Sequence, residues 1–368
     1  MKKTKKILLV YGARDSGHAQ AAQAISGYLS ERKDIEVVED DIASYFPRLG
    51  PLFLKLYVKL IVAAPGLWGY FHGNVEHKRF TECIERIFCK LDLFRADKML
   101  KRHNPDVIVA THAFAMRVIL CANRKSGKRV PVFAVVTDFR AHVYWASDQV
   151  DGYFVPTNEA RLDLMNRGIA REKIIVSGMP VRKQFLKDVD KARARIEIGL
   201  DPEMSTVLIM GGSYGIFPYI RLAKMIMGRP GSNKRQWIFA CGNNEQAYKE
   251  VSRITRGHDA VIRTYGFTRH IPLLMDASDL IVTKAGAVSI CEAQAKGLPI
   301  VISGVLSGQE RKNAQYLLKE GSVISADNFE VLGRLLKGSA IPDGLRAKTE
   351  QFARPESGRL IAGKILGI

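Results

Sequence analysis

The chain has 368 residues, 47% of them hydrophobic and 25% charged, with 56 Lys plus Arg against 37 Asp plus Glu. This length and composition describe an ordered protein of about two domains and exclude a disordered one. The net charge of +19 selects polyanionic partners such as phosphorylated small molecules or an anionic membrane, while no helix-turn-helix, RNP-like aromatic strand or zinc spacing points to nucleic acid.

The N-terminus "MKKTKKILLVYG" is basic and then apolar. Its apolar part is too brief for a signal peptide and ends at a turn, so it reads as a first strand. "YGARDSGHAQAA" follows, a tight loop holding Gly12, Gly17 and His18, and opens onto the helical "AQAAQAISGYLSER". The loop lacks the glycine spacing of a dinucleotide or P-loop fingerprint. After the strand "IEVVED" comes "RLGPLFLKLYVKLIVAAPGLWGYF", where Lys55 and Lys59 are the only charges between Leu52 and Ala64. Four residues apart, they share one helical face. Pro65 and Gly66 end the run, and Trp68, Tyr70 and Phe71 follow. A bilayer span needs about 20 mostly uncharged residues, so the choice lies between a buried helix and an interfacial one. Two snorkelling lysines and an aromatic cluster favour the interfacial helix, on an anionic membrane surface.

Short Val- and Ile-rich runs then alternate with helical stretches: "DVIVAT", "VPVFAVVT", "GYFVP" and "KIIVSG" in a first set, then "TVLIMGG", "QWIFACG", "AVIRTYG", "LIVTK" and "LPIVIS" in a second. This pattern predicts parallel sheets in an α/β protein, repeated as two Rossmann-like domains facing across a cleft. The expected domains are 1–185, 186–355 and a C-terminal helix, 356–368, packing back toward the first. "LKDVDKARARIEIGLDPEM" reads as a linker between the two sets. In such sheets ligands sit at the carboxyl ends of strands. His18, His112, Asp138, Gly211 with Gly212, Gly242 and Lys284 all follow a strand. The cysteines Cys83, Cys89, Cys121, Cys241 and Cys291 show no CxxC pairing, which argues against zinc and for a reducing cytosol. The single DxD, Asp188 to Asp190, lies in the charged linker, so no metal and no cofactor are expected.

The most informative run is "TKAGAVSICEAQAKGLPIVISGVLSGQERKNAQYL". A strand ends, a helix begins near Val288, and backbone N–H groups at such a start suit a diphosphate. Glu292, four residues into that helix, is placed for a ribose diol. Gln309 and Glu310, in the loop after the next strand, offer donors and acceptors for sugar hydroxyls. Lys284 supplies positive charge for a departing diphosphate.

This run resembles the "TKPGGxTxxEA…PGQExxNAxxL" signature of the diacylglycerol glycosyltransferases, which include the monogalactosyldiacylglycerol synthases and the processive diacylglycerol glucosyltransferases. The family is related to the lipid-linked N-acetylglucosaminyltransferase of peptidoglycan synthesis. "SGHAQAA", "PDVIVATHAF", "VVTDFRAHVYW" and "GMPVRKQF" resemble further motifs of the family, in order. The resemblance implies a GT-B fold and inverting transfer of a hexose from a UDP-sugar to diacylglycerol at the cytoplasmic face of a membrane, by a peripheral protein. It implies that Glu292 holds the ribose and that Gln309 with Glu310 holds the hexose. Ser213 with Ala285, Gly286, Ala287 and Val288 would cradle the diphosphate, Phe267 would lie by the uracil, and Gly242 with Asn243 would shape that pocket. The first domain would receive the lipid, through the segment with Lys55, Lys59, Trp68, Tyr70 and Phe71, and near His112.

His18 is then the expected base and Asp138 a carboxylate that orients a histidine or the acceptor. Three positions depart from the family pattern: Asp15 where it has glycine, Ala285 with Ala287 in "KAGA", and Ser307 in "SGQE". Asp15 is expected to tolerate a left-handed turn. Two other functions fit the same scaffold, a UDP-sugar epimerase and a catalytically silent UDP-sugar sensor.

Overall fold

The structure, a computed structural model, describes residues 4–45, 95–228, 234–258, 261–304, 308–326, 328–337 and 344–367. In β1 (Lys5–Tyr11), Leu8 and Val10 enter one apolar cluster, while Ile7, Leu9 and Tyr11 enter another. Alternate residues of a strand point to opposite faces, so this sheet is covered on both sides. Helix α1 (Gly17–Leu29) supplies Ala22, Ile25 and Leu29 to one face. On that face it also meets the chain's last helix, whose Ile361 and Ile365 join the same cluster. β2 (Ile35–Asp41) pairs with β1. Helices α2 (Ala96–His103) and α3 (Ala113–Lys125), on either side of β3 (Val107–Ala110), cover the other face with Met99, Met116 and Ile119. β4 (Val132–Val135), β5 (Gly152–Val155), α4 (Asn158–Met165) and β6 (Ile174–Val176) complete a parallel sheet of order β2-β1-β3-β4-β5-β6.

Residues 1–182, 307–312 and 354–368 group as one unit, and 183–306 with 313–353 as the other. The second unit opens with α5 (Lys191–Glu197), inside the stretch whose charge suggested a linker. Arg195 explains the difference. Its guanidinium is buried, donating to the Ala277 carbonyl (2.9 Å), the Pro202 carbonyl (2.7 Å) and Asp279 Oδ2 (2.6 Å). Asp279 Oδ1 takes Lys191 Nζ at 2.6 Å and Oδ2 the Thr206 amide at 2.8 Å. Charge here closes a buried node at the amino ends of two strands; it does not solvate a tether.

From that node run β7 (Thr206–Met210), α6 (Tyr219–Met227), β8 (Gln236–Ala240), α7 (Glu245–Ile254), β9 (Ile262–Tyr265) and α8 (Ile271–Asp276). β10 (Leu280–Thr283), α9 (Ala287–Ala295), β11 (Ile300–Ser303), α10 (Gly308–Lys319) and β12 (Ile324–Ala326) follow. Then come α11 (Phe329–Lys337), α12 (Leu345–Gln351) and α13 (Ser357–Leu366), the helix that lies on α1. The sheet order is β12-β11-β10-β7-β8-β9, all parallel. β12 has no counterpart among the strands expected from the apolar runs; its three residues, ISA, are broken by a serine, whereas the equally short β6, IIV, is wholly apolar.

Each sheet has one place where the connections part company. From β1 the chain moves outward to β2 on one side, and β3 to β6 lie on the other. From β7 it moves to β8 and β9, and β10 to β12 lie opposite. At these two switch points the loops diverge and leave a crevice at the carboxyl ends. Replacing Asp279 with Ala leaves Arg195 buried without its carboxylate. We expect a loss of about 3 kcal/mol, read as a lower urea midpoint of the transition that unfolds the second unit; an unchanged midpoint would show that Arg195 does not depend on this pair.

Candidate functional site

At the first switch point the β1–α1 loop turns on Ala13, which holds the left-handed backbone (φ 67°) expected of Asp15. Ala13 tolerates it because its amide donates to Asp41 Oδ1 (3.0 Å) and its carbonyl accepts from the Ser16 amide (3.1 Å). Ser16 caps α1, its Oγ accepting from the Ala19 amide (3.3 Å) and donating to the Gly12 carbonyl (2.9 Å). Gly17 is thus the first helical residue and His18 the second.

His18 Nδ1 lies 3.0 Å from the Thr111 carbonyl and 2.7 Å from Thr137 Oγ1. A carbonyl oxygen only accepts, so this pattern assigns the ring proton to Nδ1 and the lone pair to Nε2. Burial pushes the His18 pKa down to about 4, with the Thr111 carbonyl pulling the other way. Asp15 is exposed on the loop. His112 caps α3, its Nδ1 accepting from the Ala115 amide at 3.4 Å, which puts its proton on Nε2. The two imidazoles meet edge to face, 4.5 Å between centroids at 75°. Burial, then the neighbouring His18 and His142, hold His112 well below its ordinary pKa. The crevice therefore contains two neutral imidazoles of opposite tautomer. Asp138 is half-buried at the same strand end; the side chain on His18 Nδ1 belongs to its neighbour Thr137.

The second switch point is built from glycine backbone and one lysine. The loops after β7 and β8 are stitched together: the Asn243 amide donates to the Ser213 carbonyl (2.8 Å), and Asn244 Nδ2 to the Gly215 carbonyl (3.0 Å). Asn244 Oδ1 also caps α7 through the Ala247 amide, at 2.9 Å. Gly215 (φ 61°) and Gly242 (φ 56°) have left-handed backbones, and a Cβ on either would run into the other loop's carbonyls. Across the crevice, a Cβ on Gly212 would come within 3.4 Å of Lys284 Cε. The Gly286 amide donates to the Lys284 carbonyl (2.8 Å), and Gly286 starts α9 with no side-chain cap. The first helical bond back is Ile290 to Gly286 (3.0 Å), so the amides of Ala287, Val288 and Ser289 precede it. Those amides, the helix dipole and the Lys284 ammonium converge on one place, which is how proteins receive phosphate groups. Asn313, buried, braces the loop through Nδ2 to the Ala285 carbonyl (3.2 Å).

Glu292 is 2% exposed on α9. Phe267, just past β9, is 49% exposed, and so holds an open aromatic face. Gln309 Nε2 donates to the Arg140 carbonyl at 2.6 Å, and both Gln309 and Glu310 group with the first unit. Lys55, Lys59, Trp68, Tyr70 and Phe71 lie outside the described residues. Of the DxD pair, Asp190 is the N-cap of α5, accepting from the Arg193 amide at 2.9 Å. Among the described residues no three His, Cys, Asp or Glu side chains are grouped to hold a metal ion, and no helix is long and apolar enough to cross a membrane. Thr111, Thr137, Asn244 and Asn313 carry much of this geometry and were not foreseen. Asn244 had a visible signal, an Asn followed by Glu at a helix start; the threonines had none, since their role depends on a histidine about a hundred residues away.

Residues 18–181 match the family model of monogalactosyldiacylglycerol synthase, and residues 206–354 that of the glycosyltransferase family 28 C-terminal domain. A processive diacylglycerol beta-glucosyltransferase of Bacillus pumilus (strain SAFR-032) is 27% identical over 335 residues, covering 90% of this chain and 85% of the relative. That of Bacillus mycoides (strain KBAB4) is 25% identical over 372 residues, covering 100% of this chain and 94% of the relative. Among solved structures, Acinetobacter baumannii MurG superposes with a TM-score of 0.59 at 15% identity, over 99% of this chain and 100% of that one. The UDP-GlcNAc 2-epimerase of Neisseria meningitidis bound to UDP-GlcNAc superposes with a TM-score of 0.61 at 14% identity, over the same shares. These two likenesses establish the fold, two Rossmann-like units in the GT-B class, and the sequence matches show a glycosyltransferase, its first part similar to the monogalactosyldiacylglycerol synthases and its second to the glycosyltransferase family 28 C-terminal domain.

Proposed function

We propose that the protein transfers a hexose from a UDP-sugar to the hydroxyl of diacylglycerol with inversion, working peripherally at the cytoplasmic face of a membrane. The observation that carries this reading is the neutral His18, its Nδ1 engaged by Thr111 and Thr137 and its Nε2 left with the lone pair. In the proposed step the acceptor oxygen attacks the anomeric carbon, its proton passes to His18 Nε2, and the bond from that carbon to the diphosphate oxygen breaks. UDP leaves with the electron pair. Its charge is received by Lys284 and the amides of Ala287 and Val288, with Gly212 and Ser213 lining the same crevice. Glu292 takes the ribose, Phe267 and the Gly242–Asn243 turn the uracil pocket, and Gln309 with Glu310 the hexose. Asp138 and His112 stand on the acceptor side with His18. The lipid reaches the first unit through the segment containing Lys55, Lys59, Trp68, Tyr70 and Phe71. The names of the curated relatives support diacylglycerol as acceptor, and the net charge of +19 suits an anionic surface. No cofactor or metal enters this scheme.

Incubation with labelled UDP-glucose, UDP-galactose and UDP-N-acetylglucosamine, with and without diacylglycerol vesicles, tests the reaction. A glycolipid from at least one donor is expected; interconversion of the free nucleotide sugars without lipid product would replace the proposal with an epimerase, and UDP binding with no turnover would replace it with a sensor. His18→Ala should lose transfer by about 100-fold or more while keeping UDP affinity within a factor of about two. Loss of UDP binding in that variant would remove His18 from the acceptor side.

The depressed pKa of His18 also bears on stability. Its folded value, about 4, lies below the ordinary 6.5, so the unfolded chain takes up the proton first as pH falls. The stabilising contribution is complete above about pH 6.5 and is lost as pH falls through about 4. Wild type should therefore lose melting temperature over that interval more steeply than His18→Asn; parallel curves for the two proteins would contradict the burial argument.

A further inference from the structure

The base proposed above depends on a residue that lies inside the run "VVTDFRAHVYW" but was assigned no role there. Thr137, 4% exposed, sits at the carboxyl end of β4, with Oγ1 2.7 Å from His18 Nδ1. The same hydroxyl donates to the Thr111 carbonyl at 3.2 Å, and that carbonyl is itself 3.0 Å from Nδ1. With its hydrogen committed to the carbonyl, Thr137 Oγ1 turns a lone pair toward the imidazole. Thr111 closes the loop by donating its own Oγ1 hydrogen to the His18 carbonyl at 2.8 Å. Three residues from α1, β3 and β4 thus form one circuit in which every donor has an acceptor. A proton on Nε2 alone would leave the Nδ1 lone pair facing a carbonyl lone pair at 3.0 Å, an arrangement the circuit disfavours.

We propose that Thr137 is a positioning residue that locks His18 in its Nδ1–H tautomer and aims Nε2 at the acceptor hydroxyl. The inference rests on the reading of His18 as base. In the step, the acceptor proton moves to Nε2 while Nδ1–H stays on Thr111 and Thr137; the new carbon–oxygen bond forms as UDP departs, and the imidazolium later returns its proton to water. Thr137 touches no reacting atom. Its effect is to keep the basic nitrogen on the correct side of the ring and the ring in one orientation, which lowers the barrier by preorganisation.

The test uses the full chain labelled with 15N-histidine. Long-range proton–nitrogen correlation of wild type should show His18 as the Nδ1–H tautomer. Thr137→Val, which keeps the shape and removes the hydroxyl, should raise the Nε2–H population several-fold. It should also lower kcat about 10-fold at unchanged UDP affinity, and Thr137→Ser should restore both to within about three-fold. An Nε2–H His18 in wild type overturns the proposal without any variant, so a failure of Thr137→Val to fold does not shelter it. An unaltered tautomer in folded Thr137→Val overturns it equally. A shifted tautomer with unaltered kcat would leave Thr137 as the positioning residue and instead remove His18 from the role of base, which separates the two readings.

Discussion

Within each sheet all strands run parallel, and the central strands are buried on both faces. A parallel strand cannot return to its neighbour by a tight turn, so each link is a crossover and every loop that follows a strand gathers along one edge of its sheet. His18, His112, Gly212 and Lys284 all lie along that edge of their own sheet. Where successive links diverge, between β1 and β3 in one unit and between β7 and β10 in the other, the ends of two neighbouring strands face a common crevice.

The two gaps share topology and differ in chemistry. The first brings imidazoles together: helix caps at Ser16 and His112 set the entry angles of α1 and α3, and burial strips both rings of charge. The second keeps side chains out. Gly215 and Gly242 bring backbone so close that any larger residue would collide, and the space is lined by amides and one lysine. One surface is suited to accepting a proton, the other to receiving negative charge.

The sheets were legible because most of their strands are apolar runs; eleven of them stood out, and only β12, whose short run is broken by Ser325, did not. The strand-end residues His18, His112, Gly212 and Lys284 were legible because the switch-point rule says where to look. Two readings failed for a shared reason. Charge in "DKARAR" suggested a solvated linker, yet Asp279 pairs with a buried Arg195 and a half-buried Lys191. Asp15 was expected to carry the left-handed turn, yet Ala13 carries it, held by Asp41 from the end of β2. In both cases the deciding partner is remote in sequence, and local propensity yields to it. Thr137 belongs to the same class, visible only once β3 and β4 stand side by side.

The Asp279 node has a further meaning. It fastens α5, β7 and β10 at their amino ends, while the glycine loops and Lys284 occupy the opposite ends of the same strands. The charged anchor and the glycine loops are thus separated by the length of a strand. A substitution in those loops therefore alters one end of the strands without touching the charged anchor at the other.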